Sequence, residues 1–531
     1  MNPFGRGFRE GCSLKNLLRE GNIMKMTLEE KIGQLLMASL DGMTLDGAAE
    51  RFLRENHIGN IIHFGNNLQS REQAVAFNGE LMEAIQARCG IAPLIAVDHE
   101  GGRVVRFQAG VTDFPSPMAV GAAGDPALAE AVGRAMGEEL ASLGFHINIA
   151  PAVDVNTNPK NPVIGTRSFG DEPEKVAVLG TCMALGMQSA GLMACAKHFP
   201  GHGDTAMDSH FGLPRVDKSL EALEREELVP FAMVVREGVE TIMTSHILYP
   251  ALEPQEVPAT MSRRILIDLL RVKMGFTGLI ISDGMQMHAI TEHFGIERGC
   301  VEALKAGCDL LCIGTGGAGV MDVQASCYQA LLDAARLGEV PMERIDDAVQ
   351  RVLAAKGRYG IRPQKDVAYD AHGELARHVA EKSITWLRGE GQPLEGRIVC
   401  VSTPATQKRY GVAEGNWRTK SFESVAAEAL GGDAGSLEAG SDMTGVLARA
   451  DTVVMDVGQG TETELAFIAE AIRQEKRVFV VLTGLPYVAE RLPSGCAVLC
   501  AYGATPVSIR AACRALRGEI KLQGTLPVRL S

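Results

Sequence analysis

The sequence predicts an α/β protein in which a (β/α)8 barrel of the TIM type is followed by a smaller doubly wound α/β domain. Short apolar runs that end in glycine or polar residues recur eight times before residue 314, and amphipathic helical stretches separate most of them. Four further apolar runs, with helices between them, follow residue 392. Strands that alternate with helices indicate a parallel sheet, because parallel neighbours need a crossover connection.

The eight apolar runs of the first part match the strand number of a closed barrel. They are Gln34–Ser39, Gly59–Phe64, Leu94–Val97, Phe145–Val155, Leu192–Ala196, Thr241–Ser245, Gly278–Ser282 and Asp309–Ile313. The segment Thr27-Leu28-Glu29-Glu30 fits a capping box, so a helix should begin ahead of the first run. A doubly wound open sheet is the alternative. It does not require eight strands, and the Gly-x-Gly-x-x-Gly turn that often follows its first strand is missing.

These patterns divide the chain into four parts. We expect an N-terminal extension over residues 1–25, the barrel over 26–360, a linker with one helix over 361–391, and the second domain over 392–531. The predicted strands of the second domain are Arg397–Ser402, Thr452–Val457, Arg477–Thr483 and Ala497–Tyr502. Their ends are rich in glycine but hold few candidates for catalysis, so we expect this domain to be structural or to frame the substrate.

The composition is that of a soluble globular protein, with 46% hydrophobic and 22% charged residues. The formal charge of −13 argues against nucleic acid or an anionic membrane as a partner. No apolar run reaches the length of about 18 residues that a membrane span needs, and residues 1–22 lack the apolar core of a signal peptide. We therefore expect a cytoplasmic protein. Its twelve cysteines are scattered without a C-x-x-C pair, which favours reduced thiols.

One polar segment, residues 197–210, stands out as a candidate site. It follows the fifth predicted strand and contains three histidines, two aspartates and a lysine within fourteen residues. Proline and glycine interrupt it, so neither a helix nor a strand interior accounts for the mixture. An ordinary surface loop is the alternative, but six titratable groups at the end of one buried strand favour a functional site.

Polar groups also follow four other predicted strands. In a (β/α)8 barrel, the active site lies at the C-terminal ends of the strands. These ends carry Asp98-His99-Glu100, Asp154 with Asn156, Lys197-His198, Ser245-His246 and Asp283 on strands three to seven. Their convergence on one face predicts a pocket for a polar ligand.

Within this pocket, Asp283 is a carboxylate at the lip of a buried strand, placed to meet a ligand. Its alternative role is to cap the following helix, and the residues leave both open. Asp208 lies two residues before His210, and a nearby carboxylate favours the protonated imidazole that a general acid needs near neutral pH. The side chains of Arg103 and Arg106 belong to the pocket rim, or they lie at a solvated helix start or form an ion pair with Glu100.

A metal site is the second interpretation of the histidines. His198, His202 and His210 could surround a zinc ion, since two of them show the H-x-x-x-H spacing that binds zinc on a helix. Here Pro200 and the neighbouring glycines exclude a helix, so the spacing loses its geometric meaning. We therefore expect neither a metal nor another cofactor.

Taken together, these residues resemble glycoside hydrolase family 3, and within it the two-domain form of the bacterial β-N-acetylglucosaminidase branch. The resemblance runs from about Thr27 to Tyr359 and continues more weakly through the second domain. Its most specific part is Lys197-His198-Phe199-Pro200-Gly201-His202-Gly203 followed by Asp208-Ser209-His210. The segments 97–104 and 281–287 also match family motifs. His99 and Gly284 depart from the residues that many relatives carry, Gln and Asp respectively, which affects subsite detail.

The resemblance implies a role for each matched residue. Asp283 would be the nucleophile, and His210 the acid/base with Asp208 as its partner. The side chains that would hold the hydroxyls of an N-acetylglucosamine ring are Asp98, Arg106, Arg167, Lys197 and His198.

The activity implied is that of a retaining exo-β-N-acetylglucosaminidase, which releases terminal N-acetylglucosamine from peptidoglycan (muropeptide) fragments through a covalent glycosyl-enzyme without a metal. Its partner would be a small carbohydrate. The alternatives are a β-glucosidase or β-xylosidase on the same barrel, a metal-dependent barrel hydrolase, and a non-catalytic sugar-binding protein.

Overall fold

The structure is a computed structural model, and it describes residues 25–107, 109–207, 212–314, 319–359, 366–403, 421–437 and 443–530. Of the predicted N-terminal extension, residues 1–24 lie outside this description.

Eight parallel strands form the first sheet and confirm the predicted barrel. They are β1 (Leu36–Ala38), β2 (Asn60–His63), β3 (Leu94–Val97), β6 (Ile147–Asn148), β7 (Met193–Phe199), β8 (Thr241–Thr244), β9 (Leu279–Ile281) and β10 (Leu311–Cys312). Their order in the sheet is β10-β1-β2-β3-β6-β7-β8-β9. A parallel bridge between Ile281 and Leu310 joins the two outer strands, so the sheet closes on itself.

Seven of the eight predicted runs contain one of these strands, because a parallel sheet covered on both faces needs strands that are mostly apolar. The fifth run, Leu192–Ala196, covers only the first part of β7, which continues through Lys197, His198 and Phe199. The fourth run differs in length: the prediction spans Phe145–Val155, whereas β6 ends at Asn148. Pro151 interrupts the strand because it has no N–H to donate to the sheet. Pairing then resumes at Ala152, which bridges Lys197.

Helices cover the outside of the barrel. Their bounds are Leu28–Gln34, Gly47–Glu55, Arg71–Cys89, Pro117–Ala123, Pro126–Ser142, Pro173–Ser189, Leu220–Arg225, Leu228–Arg236, the π-helix Arg264–Lys273, His288–Thr291, Ile296–Ala306, Val320–Arg336 and Met342–Tyr359. The capping box predicted for the first helix is present: the Thr27 hydroxyl accepts from the Glu30 N–H at 3.2 Å, and the Glu30 carboxylate accepts from the Thr27 N–H at 2.9 Å.

A short antiparallel hairpin follows β3 and shapes one side of the barrel mouth. It consists of β4 (His99–Gly101) and β5 (Val104–Val105). Gly102 in its turn has a φ of +61°, and a Cβ there would lie 2.6 Å from Ser116, so glycine suits both the backbone and the space. The hairpin returns the chain to β3, where the Arg106 N–H donates to the Asp98 carbonyl at 3.2 Å.

The second sheet has six strands, two more than predicted. They are β11 (Thr385–Arg388), β12 (Ile398–Ser402), β13 (Asp433–Ser436), β14 (Thr452–Asp456), β15 (Arg477–Leu482) and β16 (Ala497–Cys500), in the order β11-β16-β15-β14-β12-β13. Helices Phe422–Leu430, Met443–Ala448, Glu462–Arg473 and Pro506–Leu516 accompany them. The sheet is parallel except for β11, which runs antiparallel to β16.

The two missed strands lie at the edges of this sheet. Strand β13 is mostly exposed and contains no large apolar residue, so its sequence carries no strand pattern. Strand β11 lies in the predicted linker and follows the helix Tyr369–Ser383 after one residue. Edge strands depend on one neighbour and on tertiary context, which local sequence does not report.

A helix of the barrel part packs into the hydrophobic core of the second sheet. Met118, Ala119 and Ala122 belong to the helix Pro117–Ala123 beside the barrel mouth, yet they are buried in the core of the second sheet. The Ser116 hydroxyl, which caps the same helix, also donates to the Tyr502 carbonyl at 2.6 Å. Among the helices of the described residues, none combines the length and apolar character needed to cross a membrane.

Lys356 makes the stability of the barrel depend on pH. Its ammonium is buried and donates to the Gln34 side-chain oxygen at 2.7 Å and to the Gly59 carbonyl at 2.9 Å, at the ends of β1 and β2 remote from the candidate site. Burial lowers the pKa of Lys356 to about 7. The unfolded chain therefore binds more protons between pH 7 and 10, and the free energy of unfolding should rise over this range.

We expect Lys356→Met to remove about 3 kcal/mol of that rise, since a pKa shift of one unit corresponds to about 1.4 kcal/mol. Urea unfolding of both proteins at pH 7, 8.5 and 10 measures the difference. Lys175→Met, at an exposed position, is the control and should leave the pH profile unchanged. Parallel profiles for Lys356→Met and the unsubstituted protein would contradict the prediction.

Candidate active site

The polar groups that the strand pattern placed at the barrel mouth do lie together there. Asp98 follows β3, Asp154 lies beyond the end of β6, and Asp283 lies two residues after β9. Lys197 and His198 are among the last three residues of β7. Five charged side chains form an ion-pair cluster at this end of the barrel: Asp98, Glu100, Arg106, Arg167 and Lys197. A sixth, Asp154, joins the cluster through His198, which contacts both Asp154 and Arg167.

Asp98 lies between two cations. Its carboxylate accepts from the Lys197 ammonium at 3.0 Å and from the Arg106 guanidinium at 3.5 Å, and its side chain is 15% exposed. Burial alone would raise the pKa of Asp98, but the charges of Lys197 and Arg106 outweigh it and hold that pKa below its usual range. Asp98 therefore stays ionised at neutral pH, with an edge that can accept hydrogen bonds from a ligand.

Glu100 is the buried centre of the cluster. Its two oxygens accept from the Arg167 guanidinium at 2.8 Å each, and one of them also lies 2.6 Å from the Lys197 ammonium. Burial would raise the pKa of Glu100, but Arg167 and Lys197 lower it far below its ordinary value. Bidentate pairs of this kind fix the orientation of a guanidinium. Glu100 therefore holds two of the predicted sugar-binding side chains in place.

This pairing corrects the alternative suggested for the arginines. Arg106 pairs with Asp98 and not with Glu100. The Arg103 guanidinium donates to the Val163 carbonyl. The sequence places Glu100 next to these arginines along the chain, but Arg167 reaches it only through the fold.

His198 is oriented by Asp154. Its Nδ1 lies 2.7 Å from the Asp154 carboxylate, and its backbone N–H donates to the same group at 3.2 Å. Its Nε2 lies 3.3 Å from the Arg167 guanidinium, so the tautomer that suits both neighbours carries its proton on Nδ1 and accepts from Arg167. Asp154 also accepts from the His202 N–H at 2.6 Å.

His202 contacts its own loop. Its Nδ1 contacts the Thr205 hydroxyl at 2.8 Å, and burial lowers the pKa of His202 to about 4, so the ring is neutral at pH 7. Within the described ranges, no group of three or more His, Cys, Asp or Glu side chains is arranged to hold a metal ion. His210, the third histidine of the metal interpretation, lies outside the described residues.

Asp283 is half-buried, and backbone hydrogen bonds join the residues before and after it to the chain at β10. The Ser282 N–H donates to the Leu310 carbonyl at 3.0 Å, and the Met285 N–H donates to the Cys312 carbonyl at 2.9 Å. One Asp283 oxygen accepts from the adjacent Gly284 N–H at 2.8 Å. The helix-capping alternative is wrong, because the next helix, His288–Thr291, has Met287 at its N-cap and no side-chain cap.

A buried histidine supports the backbone beside Asp283. His246 follows β8, and its Nε2 lies 3.0 Å from the Gly284 carbonyl while its Nδ1 lies 2.9 Å from the Thr260 hydroxyl. Ser245 donates to the Phe199 carbonyl at 3.0 Å at the end of β7. These two strand-end residues therefore join neighbouring loops of the barrel mouth.

Asp208 and His210 lie outside the described residues, so their predicted roles stay predictions. The chain that leads to them is fixed to the loop after β6. The Asn158 amide donates to the Asp204 and Thr205 carbonyls at 3.2 and 3.3 Å, and the Asn161 amide donates to the His202 and Gly203 carbonyls at 2.8 and 3.0 Å.

Glu100 and Asp154, which the strand-end pattern placed at the pocket without giving either a role, carry the electrostatic organisation of the site. Both are carboxylates at the ends of buried strands, and this position was the only signal in the sequence. Their burial could not be read from the chain, because an acidic residue after a strand is usually exposed.

Comparisons with known proteins agree with this architecture. The family model described as the glycosyl hydrolase family 3 N terminal domain matches residues 27–355. The chain belongs to glycoside hydrolase family 3. It is therefore an enzyme of the glycosidase class, and the resemblance stated from its motifs is confirmed.

Its relatives include β-hexosaminidases. A β-hexosaminidase A from Pseudoalteromonas piscicida is 34% identical over 402 residues, which are 70% of this chain and 67% of that protein. A β-hexosaminidase from Tolumonas auensis is 38% identical over 307 residues, or 56% of this chain and 90% of that protein. The structure of a family 3 β-N-acetylglucosaminidase from Paenibacillus sp. str. FPU-7 superposes with a TM-score of 0.88 at 35% identity, and covers 95% of this chain and 99% of its own.

Proposed function

We propose that this hydrolase is a retaining exo-β-N-acetylglucosaminidase that removes terminal N-acetylglucosamine from peptidoglycan (muropeptide) fragments. The observation that carries the proposal is the charge-balanced cluster of three carboxylates and three cations beside Asp283 at the barrel mouth. The charges within the cluster compensate each other, and Asp283 adds one further carboxylate to the pocket. The pocket offers ionised donors and acceptors, which suit the hydroxyls of a neutral sugar.

In the proposed binding mode, Asp98 accepts from sugar hydroxyls, while Arg106, Arg167, Lys197 and His198 donate to or orient the ring. Asp98 contributes because its carboxylate stays ionised and reaches the pocket. Glu100 and Asp154 act behind these residues and do not need to touch the sugar, since both side chains are fully buried.

In the proposed chemistry, the Asp283 carboxylate attacks the anomeric carbon and forms a covalent glycosyl-enzyme, while His210 donates a proton to the leaving oxygen. Water then attacks the same carbon as His210 takes its proton, the bond to Asp283 breaks and frees its carboxylate, and the sugar leaves with its original configuration. The rigid backbone around Asp283 supports a nucleophile, because attack needs a fixed distance and angle. The assignment of His210 and Asp208 rests on the motif that they share with the family.

Proton NMR of the first product tests the mechanism. Initial release of the β-anomer from a β-N-acetylglucosaminide is expected, whereas initial α-anomer would mean inversion and would overturn the nucleophile assignment. Paired nitrophenyl glycosides test the sugar: preferred hydrolysis of the glucoside or xyloside over the N-acetylglucosaminide would replace the proposal by its nearest alternative.

A further panel tests the aglycone. Purified muropeptides with a terminal N-acetylglucosamine should be cleaved with a higher kcat/KM than N,N′-diacetylchitobiose. Equal or inverted values would remove the peptidoglycan part of the proposal and leave the glycosidase part standing. The cytoplasmic location stays a prediction, which cell fractionation tests.

A further inference from the structure

The segment that carries Arg167 is held from the second domain. It leaves β6 and runs from Asn156 to Asp171 across the barrel mouth. At its start, the Asn156 amide donates to the Tyr487 hydroxyl at 3.1 Å. Tyr487 belongs to a 3-10 helix, Pro486–Arg491, that follows β15 of the second sheet. Near its middle, Gly165 packs against Leu485, since a Cβ at Gly165 would lie 3.5 Å from the leucine methyl.

The end of the same segment is held by residues 525–529. The Asp171 N–H donates to the Pro527 carbonyl at 3.1 Å, and the Asp171 carboxylate accepts from the Arg529 N–H at 2.7 Å. Gly170 lies so close that a Cβ there would meet the Pro527 carbonyl at 2.3 Å. Thr525 extends the contact, because its N–H donates to the Ala122 carbonyl at 3.0 Å.

These outer contacts reach the site through a short hydrogen-bonded path. The Asn156 N–H donates to the Gly170 carbonyl at 2.9 Å, which closes the segment into a loop. Inside this loop, the buried Ser168 hydroxyl lies 2.6 Å from the Asp154 carbonyl and 2.8 Å from the Gly170 carbonyl. Ser168 is adjacent to Arg167, and Asp154 orients His198, so the loop determines where both binding groups stand.

We propose that Tyr487 and the segment Thr525–Arg529, together called the clasp, position Arg167 and Asp154 for substrate binding. The second domain then contributes to the affinity of the site without touching the sugar. This inference rests on the proposed function, in which Arg167 and His198 bind the ring. A binding group is effective when surrounding contacts hold it within a fraction of an ångström, and loss of such contacts weakens binding before it affects folding.

The test uses two clasp variants, each made in the full chain and again in an Arg167→Met background. Tyr487→Phe removes one hydrogen bond and should raise KM roughly three- to tenfold with a smaller change in kcat. Asp171→Ala removes a charge-assisted hydrogen bond and should raise KM by roughly tenfold. Asp171→Asn keeps a side-chain oxygen that can accept from Arg529, so it should restore most of the affinity.

The Arg167→Met background separates positioning from general stabilisation. If the clasp acts through Arg167, Tyr487→Phe and Asp171→Ala should have little further effect on KM in that background. Lys382→Met is the control, because it breaks another contact between the two parts of the chain, with Asp125 at 2.7 Å, and neither residue belongs to the clasp or to the segment Asn156–Asp171. It should lower Tm but leave KM unchanged. Equal fold-changes in both backgrounds would overturn the claim that the clasp acts by positioning Arg167.

Hydrogen exchange gives a readout that does not depend on activity. The amides of residues 163–170 should exchange faster in Asp171→Ala than in the unsubstituted protein and Asp171→Asn. If the unsubstituted protein failed to cleave any N-acetylglucosaminide, the proposed function would be wrong. The hydrogen-exchange rates would still test the clasp, because they do not depend on activity. Unchanged exchange in this segment would overturn the clasp even in a fully active enzyme.

Discussion

Asp283→Ala should lower kcat/KM for a β-N-acetylglucosaminide by at least roughly four orders of magnitude, the scale seen when a residue that acts directly in covalent catalysis is removed. The physical reason is that alanine leaves no group to attack the anomeric carbon, and the rigid loop between β9 and β10 cannot bring another carboxylate to the same place. The loss should appear in kcat more than in KM, because the sugar-binding cluster stays intact. Initial rates with nitrophenyl N-acetylglucosaminide measure it.

Two controls sharpen this experiment. Asp268→Ala removes an exposed carboxylate from the π-helix Arg264–Lys273 and should leave kcat unchanged. Azide added to Asp283→Ala can occupy the space of the lost carboxylate and attack the anomeric carbon as the aglycone leaves. The expected product is the α-glycosyl azide, which reports the face that Asp283 occupies. Turnover of Asp283→Ala close to that of the unsubstituted protein would remove Asp283 from the mechanism.

Glu100→Gln should lower both stability and affinity. The substitution keeps the shape of the side chain but removes the charge that compensates Arg167 and Lys197, both of which are almost fully buried. Breaking a buried ion pair by neutralising one partner costs about 3–5 kcal/mol of unfolding free energy. We also expect KM to rise at least tenfold, because Arg167 and Lys197 lose the group that fixes their positions. Urea unfolding and steady-state kinetics at pH 7 measure the two effects.

The difference in unfolding free energy between Glu100→Gln and the unsubstituted protein should depend on pH in a defined direction. The pKa of Glu100 lies far below its value in the unfolded chain, so its contribution to stability is present above about pH 4.5 and is lost as the pH falls below that value. The difference between the two proteins should therefore shrink in acid. Glu130→Gln, which breaks an exposed helix pair with Arg134, should change stability by less than about 1 kcal/mol at any pH. Equal stability and equal KM for Glu100→Gln and the unsubstituted protein would contradict the role of Glu100.

The barrel could be predicted strand by strand because each of its strands is buried and most of its strand residues are therefore apolar. The same rule explains the misses in the second sheet. Strand β13, with Asp433 and Ser436 at its ends, lies at one edge of the sheet and is mostly exposed. Strand β11 lies at the other edge and follows a helix after a single residue, so its sequence predicts a linker.

In the candidate site, too, some features could be predicted from the sequence and others could not. The positions of Asp98, Lys197, His198 and Asp283 followed from the rule that ligands meet the C-terminal strand ends of a barrel, and the structure brings these residues to one face. Arg167 was placed on the same rim, but its partner Glu100 lies 67 positions away along the chain. No spacing rule connects the two, because only the closure of the barrel makes them neighbours.

Local patterns of residues were enough to predict the barrel, the polar and charged residues at its mouth, and the family. The tertiary structure decided which carboxylate pairs with which cation, which acids are buried, and how the second domain meets the segment of Arg167. Those features arise between residues distant in the chain, where burial and charge act on neighbours that the fold alone provides. The contacts of Asp171 with Pro527 and Arg529 are an example, because they join the barrel to residues more than 350 positions further along.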